Sequence, residues 1–168
     1  AKFDLEADTF RFERRPEFKK TIWLPPGRSD AAASYNEVQI AYAVDEDGNE
    51  AIWRPKVNPH FLIVGPSGTG KTATVFGILS VVAGYGWPIW IADGKGVEFL
   101  QYEDYPNVQV YAATLEQQLS VLYRAVQVME DRFEKVRTGK VAGFHVFDPL
   151  FVLIDEYTVI KENLLSWY

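Results

Sequence analysis

The stretch Phe61-Leu-Ile-Val-Gly-Pro-Ser-Gly-Thr-Gly-Lys-Thr72 decides how the chain is read. Phe61 to Val64 is a short apolar run, expected to form a buried strand, and helix-compatible residues resume at Lys71. Between them lies Gly-x-x-x-x-Gly-Lys-Thr, from Gly65 to Thr72. In that pattern the glycines let the backbone curl so that successive N–H groups point into one concavity. The following helix opens with the positive end of its dipole facing the same space. Lys71 can then reach the β- and γ-phosphates of a nucleotide, and the Thr72 hydroxyl can ligate Mg²⁺. The expected nucleotide-binding group is Gly65, Pro66, Ser67, Gly68, Thr69, Gly70, Lys71, Thr72 and the next position, Ala73, with ATP and Mg²⁺ as ligands. A glycine-rich turn beside a solvated lysine is the plain alternative. The apolar strand before it and the helix after it count against that.

Composition sets the outer bounds. At 168 residues the chain suits a single domain with an ordinary core. It has no cysteine, so neither a disulfide framework nor a thiolate zinc site is available, and a cytoplasmic setting fits. No apolar run is long enough to span a bilayer. A net charge of −6 argues against a surface generally attractive to nucleic acid, though not against a local basic stripe.

Taken in order, residues 1–36 read as an N-terminal extension or linker with some β character. Arg11, Arg14, Arg15, Lys19 and Lys20 make a locally basic patch, better explained as a solvated strand edge than as a phosphate contact. Residues 37–57 read as a β-hairpin: Val38, Ile40, Tyr42 and Val44 alternate, Asp45-Glu-Asp-Gly-Asn49 is turn chemistry, and Ala51-Ile-Trp53 returns. The core is expected over 58–168, with His60 at its start in a structural rather than a catalytic role. Val75, Ile78, Leu79 and Val82 follow helical spacing until Gly84. Pro88 to Ala92 reads as a second buried strand, running into the charged loop Asp93-Gly-Lys-Gly-Val-Glu98. In open α/β sheets the C-terminal strand edge is where ligands sit, so this loop is a second candidate region.

Val108 to Tyr111 is a third short strand, and Thr114 with Gln117 forms a capping box that opens a long helix. Leu115, Leu119, Leu122, Val126, Met129, Phe133 and Val136 make one continuous apolar seam, expected to cover the sheet. Leu150 to Ile154 is a strand ending in Asp155-Glu156. Beside bound phosphates such a pair has two jobs: Asp155 holds Mg²⁺, and Glu156 polarises the attacking water. Without the loop upstream the same pair would be an ordinary surface turn.

Four of these motifs, in this order, resemble the FtsK/SpoIIIE family of DNA translocases. They are Pro59-His60 leading into Gly65–Thr72, Asp93-Gly-Lys-Gly-Val-Glu98, Met129-Glu-Asp-Arg-Phe133, and Val152-Leu-Ile-Asp-Glu156. The second is closest to the form in TraB-type plasmid transfer proteins. The resemblance covers roughly residues 37–160 and implies an α/β, RecA-like P-loop core: a mainly parallel sheet flanked by helices and preceded by the hairpin. It further implies a homo-hexameric ring, double-stranded DNA as partner, a neighbouring subunit that completes each active site, and a possible membrane-anchored partner. By match, Lys71 and Glu156 are catalytic, Thr72 and Asp155 hold the metal, and Asp93 and Lys95 lie near the nucleotide. Gly94 departs from the family's proline. Only twelve residues follow Glu156, so the later strands, with their sensor and arginine, are not expected within these 168 residues. The isolated chain is accordingly expected to hydrolyse ATP weakly. A type VII secretion-like ATPase acting on proteins, and a nucleotide-binding assembly module without turnover, are the alternatives.

Overall fold

The computed structural model describes residues 35–166, together with the strands Lys2–Asp4 (β1) and Thr9–Arg11 (β2). Arg14, Arg15, Lys19 and Lys20 of the basic patch lie outside the described residues. The chain divides into two compact units, with the boundary between Leu79 and Ser80.

In the first unit β1 pairs antiparallel with β2, Phe3 opposite Phe10. A second antiparallel pair joins Ile40–Val44 (β3) to Glu50–Trp53 (β4), with Ile40 opposite Trp53 and an irregularity between Ala41 and Ala43. The Asp45 carboxylate closes the turn by accepting from the backbone N–H groups of Asp47 and Asn49, at 2.9 and 2.8 Å. Val38, Ile40 and Trp53 are buried. The Trp53 indole N–H donates to the Asn58 carbonyl, and the Phe61 ring lies edge-on to Tyr42 at 4.7 Å and beside Trp53 at 5.2 Å. Aromatic contacts therefore fasten the approach to the phosphate-loop pattern onto the hairpin.

The buried strand expected at Phe61–Val64 does not form. The segment has no ladder, and Leu62 and Val64 are 87% and 81% exposed. Among the described residues no strand pairs with it, and a strand exists only through the neighbour that takes up its N–H and C=O groups. Apolar character alone does not supply that neighbour. The helix Lys71–Gly84 (α1) forms as the spacing predicts, with Ile78, Leu79 and Val82 buried, and crosses the boundary between the units.

The second unit is a three-stranded parallel sheet, ordered β6-β5-β7, of Val108–Ala112 (β6), Ile89–Asp93 (β5) and Phe151–Asp155 (β7). The central strand β5 is buried at every position. The helix Leu115–Arg137 (α2) carries the chain from one sheet edge to the other, and Tyr157–Leu165 (α3) follows β7. Trp90, Ala92, Ala112, Val121 and Ile160 form the core, with Leu115, Leu119, Leu122, Ala125 and Val128 packed against it.

The seam expected along all of α2 holds only for its first half. Val126, Met129 and Phe133 are 46%, 50% and 55% exposed. Val126 is turned off the packed face, since Ala125 and Val128 on either side of it still meet the core. Met129 and Phe133 lie beyond for want of sheet, because 23 residues of helix span about 34 Å at 1.5 Å per residue. Five-residue strands reach only about 17 Å. The helix outruns the sheet it covers.

Candidate nucleotide site

The phosphate-loop residues belong to the first unit. Gly68 and Gly70 take positive φ, +78° and +89°, where an L side chain is strained. Between them the chain turns tightly enough for the Thr69 hydroxyl to donate to the Pro66 carbonyl at 2.8 Å. The Lys71 ammonium donates to the same carbonyl at 2.9 Å, so the lysine lies folded back along its own loop. Helix α1 starts at Lys71, and its first turn is closed by the Thr74 N–H to the Gly70 carbonyl at 2.9 Å. Pro66, Ser67, Gly68, Thr69 and Gly70 are exposed, and Lys71 and Thr72 are partly so.

The second candidate region lies at the C-terminal edge of the parallel sheet. Register places Asp93, the last residue of β5, directly opposite Asp155, the last of β7. The two aspartates have different surroundings. Asp93 is fully buried, and its carboxylate is saturated by its own chain. Oδ1 accepts from the N–H groups of Lys95 and Gly96 at 3.0 and 2.9 Å. Oδ2 accepts from the Phe99 N–H at 3.0 Å and the Tyr111 hydroxyl at 2.9 Å. Burial first, then the Asp93 carboxylate, raises the Tyr111 phenol well above its usual range. The backbone carbonyl of Asp93 is also taken, by the Gln118 side chain from α2 at 2.6 Å. Asp93 is thus the anchor that folds residues 94–99 into a compact loop.

Gly94 lets that loop press onto the end of β7. Its N–H donates to the Asp155 carbonyl at 3.2 Å, a bond proline cannot make. A Cβ at this position would stand 2.7 Å from the Asp155 carbonyl oxygen and 2.8 Å from the Glu156 Cβ. Gly94→Ala is therefore expected to displace the Asp155-Glu156 turn and to destabilise the protein by about 1–3 kcal/mol, the usual cost of overpacking. Urea unfolding measures it, and a midpoint equal to wild type would show that the turn has slack.

Asp155 has the opposite character to Asp93. Its Oδ2 is buried and has no hydrogen-bond partner. Burial first, then the carboxylates of Glu98, Glu156 and Asp93, push its pKa up to about 6, and only Lys95 pulls the other way. A buried oxygen without a donor, among like charges, is a position that a bound cation would satisfy. Among the described residues no three His or acidic side chains converge as a closed metal cluster. One carboxylate with open positions is how Mg²⁺ is commonly held, water and phosphate oxygens supplying the rest. The residues present fit the metal.

Glu156 follows with φ 49° and ψ 49°, the one non-glycine residue with positive φ among the described residues. That conformation costs roughly 1–2 kcal/mol for a residue with a Cβ. It turns the chain from β7 into α3, whose first bonds run from the Val159 and Ile160 N–H groups to the Glu156 carbonyl, at 2.8 and 3.3 Å. Lys95 pairs with both Glu98, at 2.6 Å, and Glu156, at 3.1 Å. Its side chain is 45% exposed, so the pairs are solvent-screened and add little to stability.

Of the residues singled out from sequence, the fold brings Asp93, Lys95, Glu98, Asp155 and Glu156 to one sheet edge. Sequence reasoning missed Tyr111 and Gln118, which hold Asp93. Gln118 left a signal, since it is a polar residue on the sheet-facing side of α2; Tyr111 left none. His60 is exposed.

The FtsK/SpoIIIE family description matches residues 27–157. The Ftsk domain-containing protein YdcQ of Bacillus subtilis (strain 168) is 27% identical over 140 residues, covering 77% of this chain and 29% of its own length. DNA translocase FtsK of Streptococcus pneumoniae (strain ATCC BAA-255 / R6) is 29% identical over 137 residues, covering 77% of this chain and 18% of its own. The chain therefore spans less than a third of either relative. The structure of the cytoplasmic domain of EssC superposes with a TM-score of 0.65 at 19% identity, over 88% of this chain and 30% of that one, a likeness of fold. No helix among the described residues is long and apolar enough to cross a membrane.

Proposed function

The chain belongs to the FtsK/SpoIIIE family of P-loop ATPases, and from that premise we propose that it is the ATP-hydrolysing part of a motor that moves double-stranded DNA. The observation that carries the reading is the Asp155-Glu156 turn, with an unpartnered buried carboxylate oxygen followed by a carboxylate held in a strained backbone. A module that only stores nucleotide has no use for the second acid.

In this reading the backbone N–H groups of Gly65–Thr72 and the Lys71 ammonium hold the phosphates, and Thr72 offers the hydroxyl that the pattern assigns to Mg²⁺. Asp155 Oδ2 holds the metal, which when bound neutralises charge developing on the phosphate oxygens. Glu156 orients a water and accepts its proton as the water attacks the terminal phosphorus, the bond to the β-phosphate breaks and ADP leaves. Asp93 acts one step back, as the anchor of the loop that packs on this turn. The ring of identical subunits, with a neighbour completing each site, belongs to the same proposal and comes from the family resemblance.

The test is phosphate release by the full protein with and without double-stranded DNA. DNA is expected to stimulate turnover, and Lys71→Ala to abolish it, a loss of at least about 10²-fold for removal of a preorganised phosphate contact. Turnover indifferent to DNA but raised by a peptide substrate would move the assignment to protein secretion. The net charge of −6 gives that second reading its footing.

A further inference from the structure

Among the described residues Lys95 is the one cation paired with the proposed catalytic carboxylate, and the arrangement around it is built. Asp93 gathers the N–H groups of Lys95, Gly96 and Phe99 and so fixes the base of the loop. Gly94 brings that loop against the backbone of Asp155 and Glu156 closely enough to exclude a methyl group. Gly96 approaches the Ala113 carbonyl in the same way, so the loop is seated on the ends of both β6 and β7. From this seat the Lys95 ammonium bridges Glu98 Oε1 at 2.6 Å and Glu156 Oε1 at 3.1 Å. Glu98 steadies the ammonium from the same loop, and Glu156 receives it from the far side.

From this arrangement we infer that Lys95 is a positioning residue for hydrolysis: it engages one oxygen of Glu156 and leaves the other to face the attacking water. The inference rests on the ATPase reading above and assigns Lys95 a place beside the base rather than on the phosphates. Two physical points support it. The pair is too solvated to matter much for folding, so its use lies in direction rather than stability. A carboxylate on a flexible stem needs such a restraint, because a base displaced by an ångström loses much of its effect.

The test uses the full protein as wild type, Lys95→Met, Lys95→Arg, Glu98→Gln and Glu156→Gln. Lys95→Met is expected to lower kcat roughly tenfold while the KM for ATP and the affinity for a fluorescent ATP analogue stay within about twofold. Lys95→Arg, which keeps the charge and can reach both carboxylates, restores most of the loss. A second readout needs no nucleotide: trace acetylation followed by mass spectrometry, with the exposed Lys161 as internal reference. Acetylation of Lys95 is expected to speed up severalfold in Glu156→Gln and in Glu98→Gln, because a neutral amide oxygen still accepts from the ammonium but holds it less strongly than a carboxylate does. An unchanged kcat in Lys95→Met overturns the inference. So does a loss of nucleotide affinity that accounts for the lost turnover, because Lys95 would then be a phosphate ligand. Acetylation indifferent to Glu156→Gln also overturns it. If the wild type hydrolyses no ATP under any condition, the ATPase reading fails by itself, and the acetylation rates alone decide whether Lys95 is tied to Glu156.

Discussion

Glu156→Gln is expected to reduce ATP turnover by about 10²–10⁴-fold, the range supplied by a positioned general base, with nucleotide affinity within about twofold of wild type. Glutamine keeps the length and shape of the side chain and the backbone turn at φ 49°, and its carbonyl oxygen can still accept from Lys95. What it cannot do is take a proton from water. Magnitudes separate that chemical loss from incidental ones. Weakening a half-exposed, solvent-screened ion pair costs no more than about fivefold in rate. A two-decade loss is beyond the reach of that contact. Phosphate release under single-turnover conditions, beside binding of a fluorescent ATP analogue, makes the measurement. If Glu156→Gln turns over within tenfold of wild type, Glu156 is not the base and the reading of the β7 turn is wrong.

The residues that sequence made legible are those whose chemistry is written in a short local pattern. The phosphate loop, the capping box at Thr114 and Gln117, and the strand ending in Asp155-Glu156 each need only a few adjacent residues, and α2 does open with both reciprocal bonds of the box. What sequence could not show was pairing at a distance. Phe61–Val64 has the composition of a buried strand, yet strand formation is settled by a neighbour, and none of the described strands pairs with it. The apolar seam of α2 was read correctly as periodicity and wrongly as burial, because the length of the sheet beneath it is not written in the helix. The Asp93 loop shows the same divide within one site. Its charges were visible, and with them its place at a strand end. That Asp93 turns inward to four donors while Asp155, its direct neighbour in register, keeps an oxygen without one depends on Tyr111, Gly94 and the curl of residues 94–99.

That asymmetry leads to the second large effect. Asp93→Ala is expected to destabilise the protein by about 3–5 kcal/mol, a large share of a typical total stability of about 5–15 kcal/mol. The substitution leaves the N–H groups of Lys95, Gly96 and Phe99 and the Tyr111 hydroxyl without their acceptor, the Phe99 bond being buried and the other three partly so. Each hydrogen bond to a charged group contributes about 1.5–3 kcal/mol, but four that share one carboxylate do not add, and the loop can open to let water reach some of the donors. Asp93→Asn separates the contributions. Its amide oxygen can still serve Lys95 and Gly96, while its NH₂ faces the other two donors. The Tyr111 hydroxyl can rotate and accept from it, whereas the Phe99 N–H can only donate and is left opposed. The asparagine variant is thus expected to lose less stability than alanine but more than a surface substitution. It should also lose turnover, because the loop that carries Lys95 toward Glu156 loosens at its base. Urea unfolding of both variants beside wild type gives the comparison. An Asp93→Ala protein within about 1 kcal/mol of wild type would show that these four bonds are not what holds the loop, since a buried anchor of this kind cannot be removed at the cost of a surface change.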